Sequence, residues 1–170
     1  MIRTGLGWDI HRLVHGRRFL LGGVEIPSET GELGHSDGDV LAHAVADALL
    51  GAAALGDIGE LYPPSDSAWK DADSLVLLRS AYEKALAAGW RLVNLDCVVI
   101  CETPRILPYR EAVRASLANV LEMDAGAVFI KGKTAEGLGP VGEGLAVEAL
   151  AAALLERMDE PSGAICGRRV

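Results

Sequence analysis

Three residues near the start of the chain have the types and spacing to bind a metal ion. Asp9 and His11 stand two residues apart, so on a β-strand both side chains leave the same face of the sheet. His43 shares one stripe of a predicted helix with Asp39 and Asp47, at intervals of four residues. Three protein ligands with a fourth position open to water or substrate are typical of catalytic zinc sites, whereas structural zinc sites are usually closed by four ligands.

The spacing alone leaves a second interpretation open. A single histidine is more often a surface or hydrogen-bonded residue than a ligand, and His11 and His15 are four residues apart, as two surface residues of one helix would be. Against a helix, the segment contains Gly5, Gly7 and Gly16 and lacks the glutamate of the helical His-Glu-x-x-His motif. We therefore predict a strand, on which Asp9 and His11 could bind one metal ion together.

The elements that would position these residues alternate between strands and helices. Period-two patterns and β-branched residues predict strands, at residues 3–10, 19–26, 91–102 and 127–133. Helical periodicity predicts helices, at residues 39–55, 73–88, 108–121 and 142–158. This order indicates an α/β domain over residues 1–159, and the Pro-, Ser- and Gly-containing residues 160–170 are expected to form a flexible tail.

Several shorter features complete the predicted framework. Gly22 and Gly23 predict a bulge in the second strand, and residues 28–34 are expected to form a loop. Ser36 or Asp37 is expected to cap the first helix.

Composition limits the classes of function. Half of the 170 residues are hydrophobic, and a formal net charge of −8 argues against a nucleic-acid or acidic-membrane partner. The three cysteines form no CxxC pair, so neither a disulfide framework nor a cysteine zinc site is indicated. With no apolar signal or membrane-spanning segment in the sequence, we expect a soluble cytoplasmic protein.

Two further segments could bind phosphate. His35 and Ser36 precede the first predicted helix, where free amides and the helix dipole favour an anion. Thr134 and Glu136 follow a predicted strand, and their hydroxyl and carboxylate would suit a phosphate with its Mg²⁺. Each segment has a plainer explanation as a turn or glycine-rich connector, just as Arg105 could be an ordinary surface charge.

Taken together, these segments resemble the 2-C-methyl-D-erythritol 2,4-cyclodiphosphate synthase family of the non-mevalonate isoprenoid pathway, nearly from end to end. The segments that carry the resemblance are residues 7–11, 35–43, 47–52, 55–59, 104–105 and 133–139. The resemblance implies an α+β fold with a mixed β-sheet and helices packed on one face. It also implies a homotrimer with active sites at the subunit interfaces.

The resemblance also implies roles for individual residues. Asp9, His11 and His43 would hold Zn²⁺, Glu136 would help to hold Mg²⁺ or Mn²⁺, and His35 and Thr134 would stabilise the transition state. The substrate's methylerythritol phosphate would be contacted by Ser36, Asp57, Ile58, Gly59, Tyr62 and Asp66. Its cytidine diphosphate would be contacted, from the neighbouring subunit, by Cys101, Pro104, Arg105, Ile106, Leu107 and Lys133.

The reaction implied by the resemblance converts 4-diphosphocytidyl-2-C-methyl-D-erythritol 2-phosphate to a cyclic diphosphate and releases CMP. The ligand set alone would also permit a zinc phosphohydrolase, and a nucleotide-binding sensor without turnover is a third hypothesis. The loop after Leu138 departs from the family pattern because it lacks an aromatic residue and an arginine that line the trimer's central cavity. Lys133 stands where the family commonly has threonine or alanine, which adds a positive charge beside the nucleotide.

Overall fold

A mixed five-stranded sheet, covered on one face by helices, forms the framework of the protein. The computed structural model describes residues 1–63, 65–66 and 69–158, so the predicted tail at 160–170 lies outside the described residues. The strands are β1 (Ile2–His15), β2 (Phe19–Leu21), β3 (Val24–Ile26), β4 (Thr30–Leu33), β5 (Trp90–Ile100), β6 (Val128–Lys133) and β7 (Ala146–Arg157). The helices are α1 (Val40–Ala53), α2 (Ile58–Leu61), α3 (Ser74–Ala87), α4 (Arg110–Val120) and α5 (Gly139–Gly142), with short 3₁₀ turns at Leu107–Tyr109 and Ala125–Ala127.

The strand order confirms the expected α+β class and mixed sheet. Along the sheet the order is β4-β1-β7-β5-β6, with every neighbouring pair antiparallel except β5 and β6, which run parallel. A separate hairpin is formed by β2 and β3. The two halves of the chain therefore meet in the middle of the sheet, where β1 pairs with β7.

Two glycines of β1 allow helix α1 to lie directly on the sheet. A Cβ atom added at Gly7 would lie 1.8 Å from the carbonyl oxygen of Ala44, and one at Gly5 would lie 1.9 Å from that of Ala48. Any larger side chain at these positions would push the helix away, because real Cβ contacts are never this short. The strand face that carries these glycines is thereby brought against α1.

The predicted final helix at residues 142–158 is wrong, since most of this segment is strand β7. Its burial alternates with a period of two, and Ala149, Ala151 and Ala153 face the helical layer. Alanine favours helices on its own, but pairing with β1 and β5 on both sides outweighs that propensity. The small side chains also leave room for α1 above the strand.

Two predictions near the start of the chain are also corrected. The expected single strand at 19–26 is the β2–β3 hairpin, in which Gly22 and Gly23 adopt φ values of +55° and +77° and form the tight turn rather than a bulge. The expected loop at 28–34 contains β4, which pairs with the end of β1 and extends that strand to His15. A strand of four residues is too short to show a clear period-two pattern in the sequence, so its pairing at the sheet edge could not be predicted.

The N-terminal cap of α1 is Asp39, not Ser36 or Asp37 as predicted. Its Oδ1 atom accepts the amide of Ala42 at 3.0 Å, and its carboxylate also accepts the amides of Gly22 and Gly23 at 2.9 and 2.6 Å. One buried carboxylate therefore ties the start of α1 to the β2–β3 turn. The other predicted helices at 73–88 and 108–121, and the strands at 91–102 and 127–133, are confirmed to within a few residues.

The face of the sheet opposite the helices carries apolar side chains. Leu6, Trp8 and Leu150 are 84%, 54% and 38% exposed, and they line a shallow groove of about 280 Å³ with Val98 and Ala152. No helix among the described residues is long and apolar enough to cross a lipid bilayer.

Candidate metal centre and nucleotide cavity

Strand β1 and helix α1 bring the three predicted metal ligands together. Asp9 and His11 lie on the same face of β1 as the two glycines beneath α1, and His43 reaches them from the first turns of α1. Asp9 Oδ2 lies 2.9 Å from His11 Nε2 and 3.0 Å from His43 Nδ1, and ligand atoms of all three residues lie within 4.8 Å of one another. They form a candidate site for a divalent metal ion.

The electrostatics of the cluster favour opposite charges held side by side. Burial would raise the pKa of Asp9, but hydrogen bonds and the charges of His11 and His43 hold it below its usual range. Burial would lower the pKa of His11, but its contacts with Asp9 and Glu32 raise the pKa to about 10. The Asp9 carboxylate and the protonated His11 imidazole therefore stabilise each other.

A fully buried carboxyl group lies behind His11. Glu32 Oε2 accepts the amide of Val40 at 2.9 Å and lies 3.2 Å from His11 Nδ1, which is also 2.7 Å from the carbonyl oxygen of Gly38. Burial raises the pKa of Glu32 to about 8, and the negative charge of Asp39 adds to this rise. The hydrogen bond from His11 lowers the pKa, but by less than burial raises it. His11 is thus held by its Nδ1 side, with Nε2 facing Asp9.

The far side of His43 contacts two buried serines. His43 Nε2 lies 2.9 Å from Ser36 Oγ and 3.0 Å from Ser74 Oγ, and the two hydroxyls are 3.0 Å apart. Ser74 donates its hydroxyl to Asp37 Oδ1 at 2.5 Å and its amide to Asp37 Oδ2 at 3.2 Å. The imidazole therefore has polar partners on both edges, which fixes its plane.

The start of α1 does not offer the free amides that the sequence predicts for a phosphate site. Val40 donates its amide to Glu32, and Ala42 donates its amide to Asp39, both buried carboxyl groups. These two carboxyl groups therefore occupy two of the amides at the helix terminus. Any phosphate near His35 would have to be bound by side chains and by other loops.

The candidate metal residues open into a cavity of about 250 Å³. Its walls are formed by Asp9, His11, His35, Ser36, His43, Asp47, Ile58, Gly59, Tyr62, Trp69 and Leu77. Of the remaining residues predicted for this part of the substrate, Asp57 caps α2 by accepting the amide of Glu60 at 2.8 Å, and the Asp66 carbonyl oxygen lies 3.4 Å from His35 Nε2. The structure thus gathers most of the predicted methylerythritol-phosphate residues around the metal cluster.

The residues predicted for cytidine line a different cavity, of about 420 Å³. Its walls are formed by Cys101, Glu102, Arg105, Ile106, Leu107, Arg110, Gly132, Lys133 and Thr134. Pro104 does not line it but accepts a hydrogen bond from Cys101 Sγ through its carbonyl oxygen, at 3.2 Å. Burial raises the pKa of the Cys101 thiol to about 12, so this cysteine is no nucleophile at neutral pH.

The loop after β6 is held close to the second cavity. Thr134 donates its hydroxyl to Glu136 Oε1 at 2.8 Å, and Glu102 Oε1 accepts the amide of Ala135 at 2.9 Å. The two cavities share no lining residue, and two strands, β7 and β5, separate β1 from β6 in the sheet. Within one subunit, Thr134 and Glu136 therefore lie apart from the metal cluster.

Sequence patterns did not predict three residues around the candidate metal cluster: Ser74 and Glu32, which contact its histidines, and Trp69, which lines the first cavity. Ser74 is the first residue of α3 and is far from His43 in the sequence, and Glu32 lies in a segment that reads as a polar loop. Neither residue stands at a sequence separation from His11 or His43 that would predict a contact with that histidine. Trp69 is a rare aromatic beside Tyr62, whose ring centroid is 4.9 Å away, and a search for isolated aromatics in loops would have found it.

Comparison with known proteins agrees with this geometry. The profile of the YgbB family matches residues 2–156. The chain belongs to the YgbB family. One relative, the 2-C-methyl-D-erythritol 2,4-cyclodiphosphate synthase of Treponema denticola, is 55% identical over 154 residues, which are 91% of this chain and 96% of that protein. The family match thus includes both cavities and all three candidate metal ligands.

Solved structures of YgbB-type synthases share the fold. A CDP-bound 2C-methyl-D-erythritol-2,4-cyclodiphosphate synthase superposes with a TM-score of 0.84 at 40% identity, covering 91% of this chain and 100% of the other. The bifunctional IspDF of Campylobacter jejuni superposes with a TM-score of 0.91 at 41% identity, covering 94% of this chain and 43% of that longer protein. The mixed sheet with one helical layer is therefore the fold of the synthases as well.

Proposed function

We propose that this protein is a 2-C-methyl-D-erythritol 2,4-cyclodiphosphate synthase, a phosphorus–oxygen lyase of isoprenoid precursor biosynthesis. The observation that carries the proposal is the convergence of Asp9, His11 and His43 in a cavity of a chain that belongs to the YgbB family. The substrate is 4-diphosphocytidyl-2-C-methyl-D-erythritol 2-phosphate. The products are the cyclic diphosphate and CMP.

The reaction needs little from a protein beyond charge neutralisation and geometry. An oxygen of the substrate's own 2-phosphate bonds to the β-phosphorus, and the bond from that phosphorus to the CMP oxygen breaks. Since this nucleophile is already anionic, no activated serine or cysteine is required. Holding the two phosphates in line converts the step into an intramolecular reaction with a high effective concentration.

The two proposed metal sites have donors that fit different cations. Two imidazole nitrogens and one carboxylate oxygen suit Zn²⁺ at Asp9, His11 and His43, whereas the carboxylate of Glu136 suits a hard cation such as Mg²⁺ or Mn²⁺. When bound, these ions would neutralise the phosphates and the developing negative charge. His35 and Thr134 lie at the rims of the two cavities, where their polar groups could hydrogen-bond phosphate oxygens.

The second cavity supports binding of the cytidine diphosphate moiety. Arg105, Arg110 and Lys133 place positive charge along its walls, and Ile106 and Leu107 supply apolar surface for a base. The solved synthase with bound CDP supports a ligand of this class. Lys133 is exposed and close to Thr134, so we propose that it contacts the diphosphate.

The assembly that we propose is a homotrimer with active sites at the subunit junctions. Because the two cavities of one chain are apart, a neighbouring subunit has to supply the nucleotide cavity opposite each metal cluster. The uncovered apolar groove of Leu6, Trp8 and Leu150 supplies a surface for that association. The arginine-free loop Gly139–Gly144 argues against an isoprenoid diphosphate in the trimer centre.

We further propose that residues 1–159 form the catalytic domain and that the protein works in the cytoplasm. Cys97 and Cys101 are buried free thiols, which supports a reducing compartment. Nucleic acids and membranes are not among the partners that we propose, given the net charge of −8.

Incubation of the purified protein with the cytidyl substrate and Mg²⁺ tests the proposal. We expect CMP and the cyclic diphosphate to form in equal amounts. Phosphorus NMR measures both products. CMP with an open-chain phosphate product would instead identify a zinc phosphohydrolase. Calorimetric CDP binding without CMP release at saturating substrate would identify a sensor.

A further inference from the structure

The hydrogen-bond partners of Ser74 determine where the imidazole proton of His43 must lie. Asp37 is a carboxylate and can only accept, so the single hydroxyl proton of Ser74 points to Asp37 Oδ1, 2.5 Å away. Ser74 Oγ then has only lone pairs to offer its other two neighbours, Ser36 Oγ and His43 Nε2, each 3.0 Å away. Both neighbours must therefore donate to it.

Counting protons around Ser36 leaves one arrangement in which every contact has a donor. Ser36 donates its hydroxyl proton to Ser74 Oγ, so it has none left for His43 Nε2 at 2.9 Å. If Nε2 lacked a proton, neither of its contacts with the two hydroxyls would contain a donor. One proton on Nε2, shared between Ser36 Oγ and Ser74 Oγ, gives every contact a donor.

We propose that Asp37 and Ser74 are positioning residues that hold His43 in the Nε2–H tautomer and thereby turn its Nδ1 lone pair toward the metal site. Nδ1 is the atom that lies 3.0 Å from Asp9 Oδ2. Two electron-rich atoms at this distance require a proton or a metal ion between them. The proposal rests on the metal site proposed above, and it adds two residues that touch neither metal nor substrate.

Burial makes the arrangement rigid. Ser74 and Ser36 are 1% and 5% exposed, so water cannot readily replace a missing partner. Ser74 also begins α3 and donates its amide to Asp37 Oδ2, which fixes the carboxylate with two hydrogen bonds. Groups of this kind, one step removed from a metal, typically contribute about 10- to 100-fold in metal affinity.

The test compares variants of Ser74 and Asp37 by metal affinity, measured as competition for Zn²⁺ with a chromophoric chelator. We expect Ser74→Ala and Asp37→Asn to weaken Zn²⁺ binding by about 10- to 100-fold. Ser74→Thr keeps the hydroxyl and should stay within about threefold of the wild type. Ser80→Ala, a serine of the same helix outside this contact set, is the matched control and should leave the affinity unchanged.

A second readout needs no metal. Long-range ¹H–¹⁵N NMR of the chelator-treated wild type should show a proton on His43 Nε2, whether or not Nδ1 also carries a proton toward Asp9, with the signal assigned by its loss in His43→Gln. In Ser74→Ala, the Nε2 proton should be only partly retained. A wild-type Nδ1–H tautomer, or folded Ser74→Ala with unchanged Zn²⁺ affinity, would overturn the proposal. Failure of the synthase assay would leave this tautomer measurement standing.

Discussion

Glu32 places a buried carboxyl group directly behind a candidate metal ligand. Its side chain is fully buried, its Oε2 contacts His11 and the amide of Val40, and its Oε1 has no hydrogen-bond partner in the described part of the chain. Burial raises the pKa of this carboxyl to about 8, so it is largely protonated at neutral pH. The folded protein therefore holds a proton that the unfolded chain loses.

This proton makes stability depend on pH. Because the pKa rises from 4.5 in the unfolded chain to about 8 in the fold, the stabilising contribution is complete below about pH 4.5 and is lost as the pH rises through about 8. In chelator-treated protein, we expect the wild type to lose about 5 kcal/mol relative to Glu32→Gln between these limits. Urea unfolding at several pH values measures the difference, and parallel pH curves for both proteins would contradict it.

His43 supplies one of the three candidate ligand atoms, and we expect its replacement to abolish metal binding. His43→Ala leaves Asp9 and His11 as two ligands, too few for tight Zn²⁺ binding, and zinc content should fall from about one per subunit to near zero. CMP release should fall with it. Elemental analysis of the purified variant measures the zinc.

The matched control for that substitution is His15→Ala. His15 is exposed, and among the described residues the hydrogen bond given for its side chain is with the carbonyl oxygen of Glu29, at 3.2 Å, so its loss should change neither zinc content nor CMP release. Full zinc occupancy in His43→Ala would show that His43 is not a ligand.

At the scale of elements, the contact between β1 and α1 sets the geometry of the metal cluster. A methyl group at Gly7 would overlap the Ala44 carbonyl, only 1.8 Å from the added Cβ. We expect Gly7→Ala to lower the free energy of unfolding by about 2–4 kcal/mol, because helix and strand must separate. The same shift moves His43 away from Asp9, so zinc affinity should fall as well.

Gly51→Ala is the control for that substitution. Gly51 lies within α1, its added Cβ would meet nothing within 4 Å, and alanine is the better helix residue. This variant should gain about 0.5–1 kcal/mol in stability. Calorimetry or urea unfolding of both variants provides the comparison, and equal effects would contradict the packing argument.

A helix or strand could be predicted from the sequence where its own residues show a clear periodic pattern. The Leu- and Val-rich strand β5 and helices α1 and α3 have strong patterns of their own, and the sequence predicted them. β7 is rich in alanine, and it becomes a strand only through its pairing with β1 and β5. The four residues of β4 likewise depend on a partner strand.

The same distinction applies to the site. Asp9 and His11 are neighbours on one strand, so their spacing revealed a shared face before any fold was known. The contacts of Ser74 and Glu32 with histidines join segments 31 and 21 residues apart, and no local periodicity encodes them. Assignment of the nucleotide cavity also depended on family resemblance, because its residues carry no chemical motif on their own.

At the scale of the whole molecule, the uncovered face of the sheet should decide assembly. Leu6 is 84% exposed at the groove that Trp8 and Leu150 also line, and a charge there would be buried without a partner in a trimer. We expect Leu6→Glu to lower the mass measured by light scattering about threefold, from trimer to monomer. CMP release should disappear at the same time, since each active site of the proposed trimer draws on two subunits.

Val76→Glu is the control for assembly. Val76 is 63% exposed on α3, in the helical layer on the other side of the sheet. The same added charge should leave both the mass and CMP release unchanged. An intact trimer in Leu6→Glu would show that this face is not the interface.

The pairing of β1 with β7 has a consequence for biogenesis. Residues 2–12 of the first strand pair with residues 146–156 of the last, and Arg157 donates its amide to the carbonyl oxygen of Met1 at 2.8 Å. During synthesis, Asp9 and His11 therefore leave the ribosome long before the strand that flanks them exists. The nascent chain must keep residues 2–11 of β1 without their β7 partner until nearly all of the domain has been translated, and such late pairing slows folding. We therefore expect metal binding at the candidate site to follow the translation of β7.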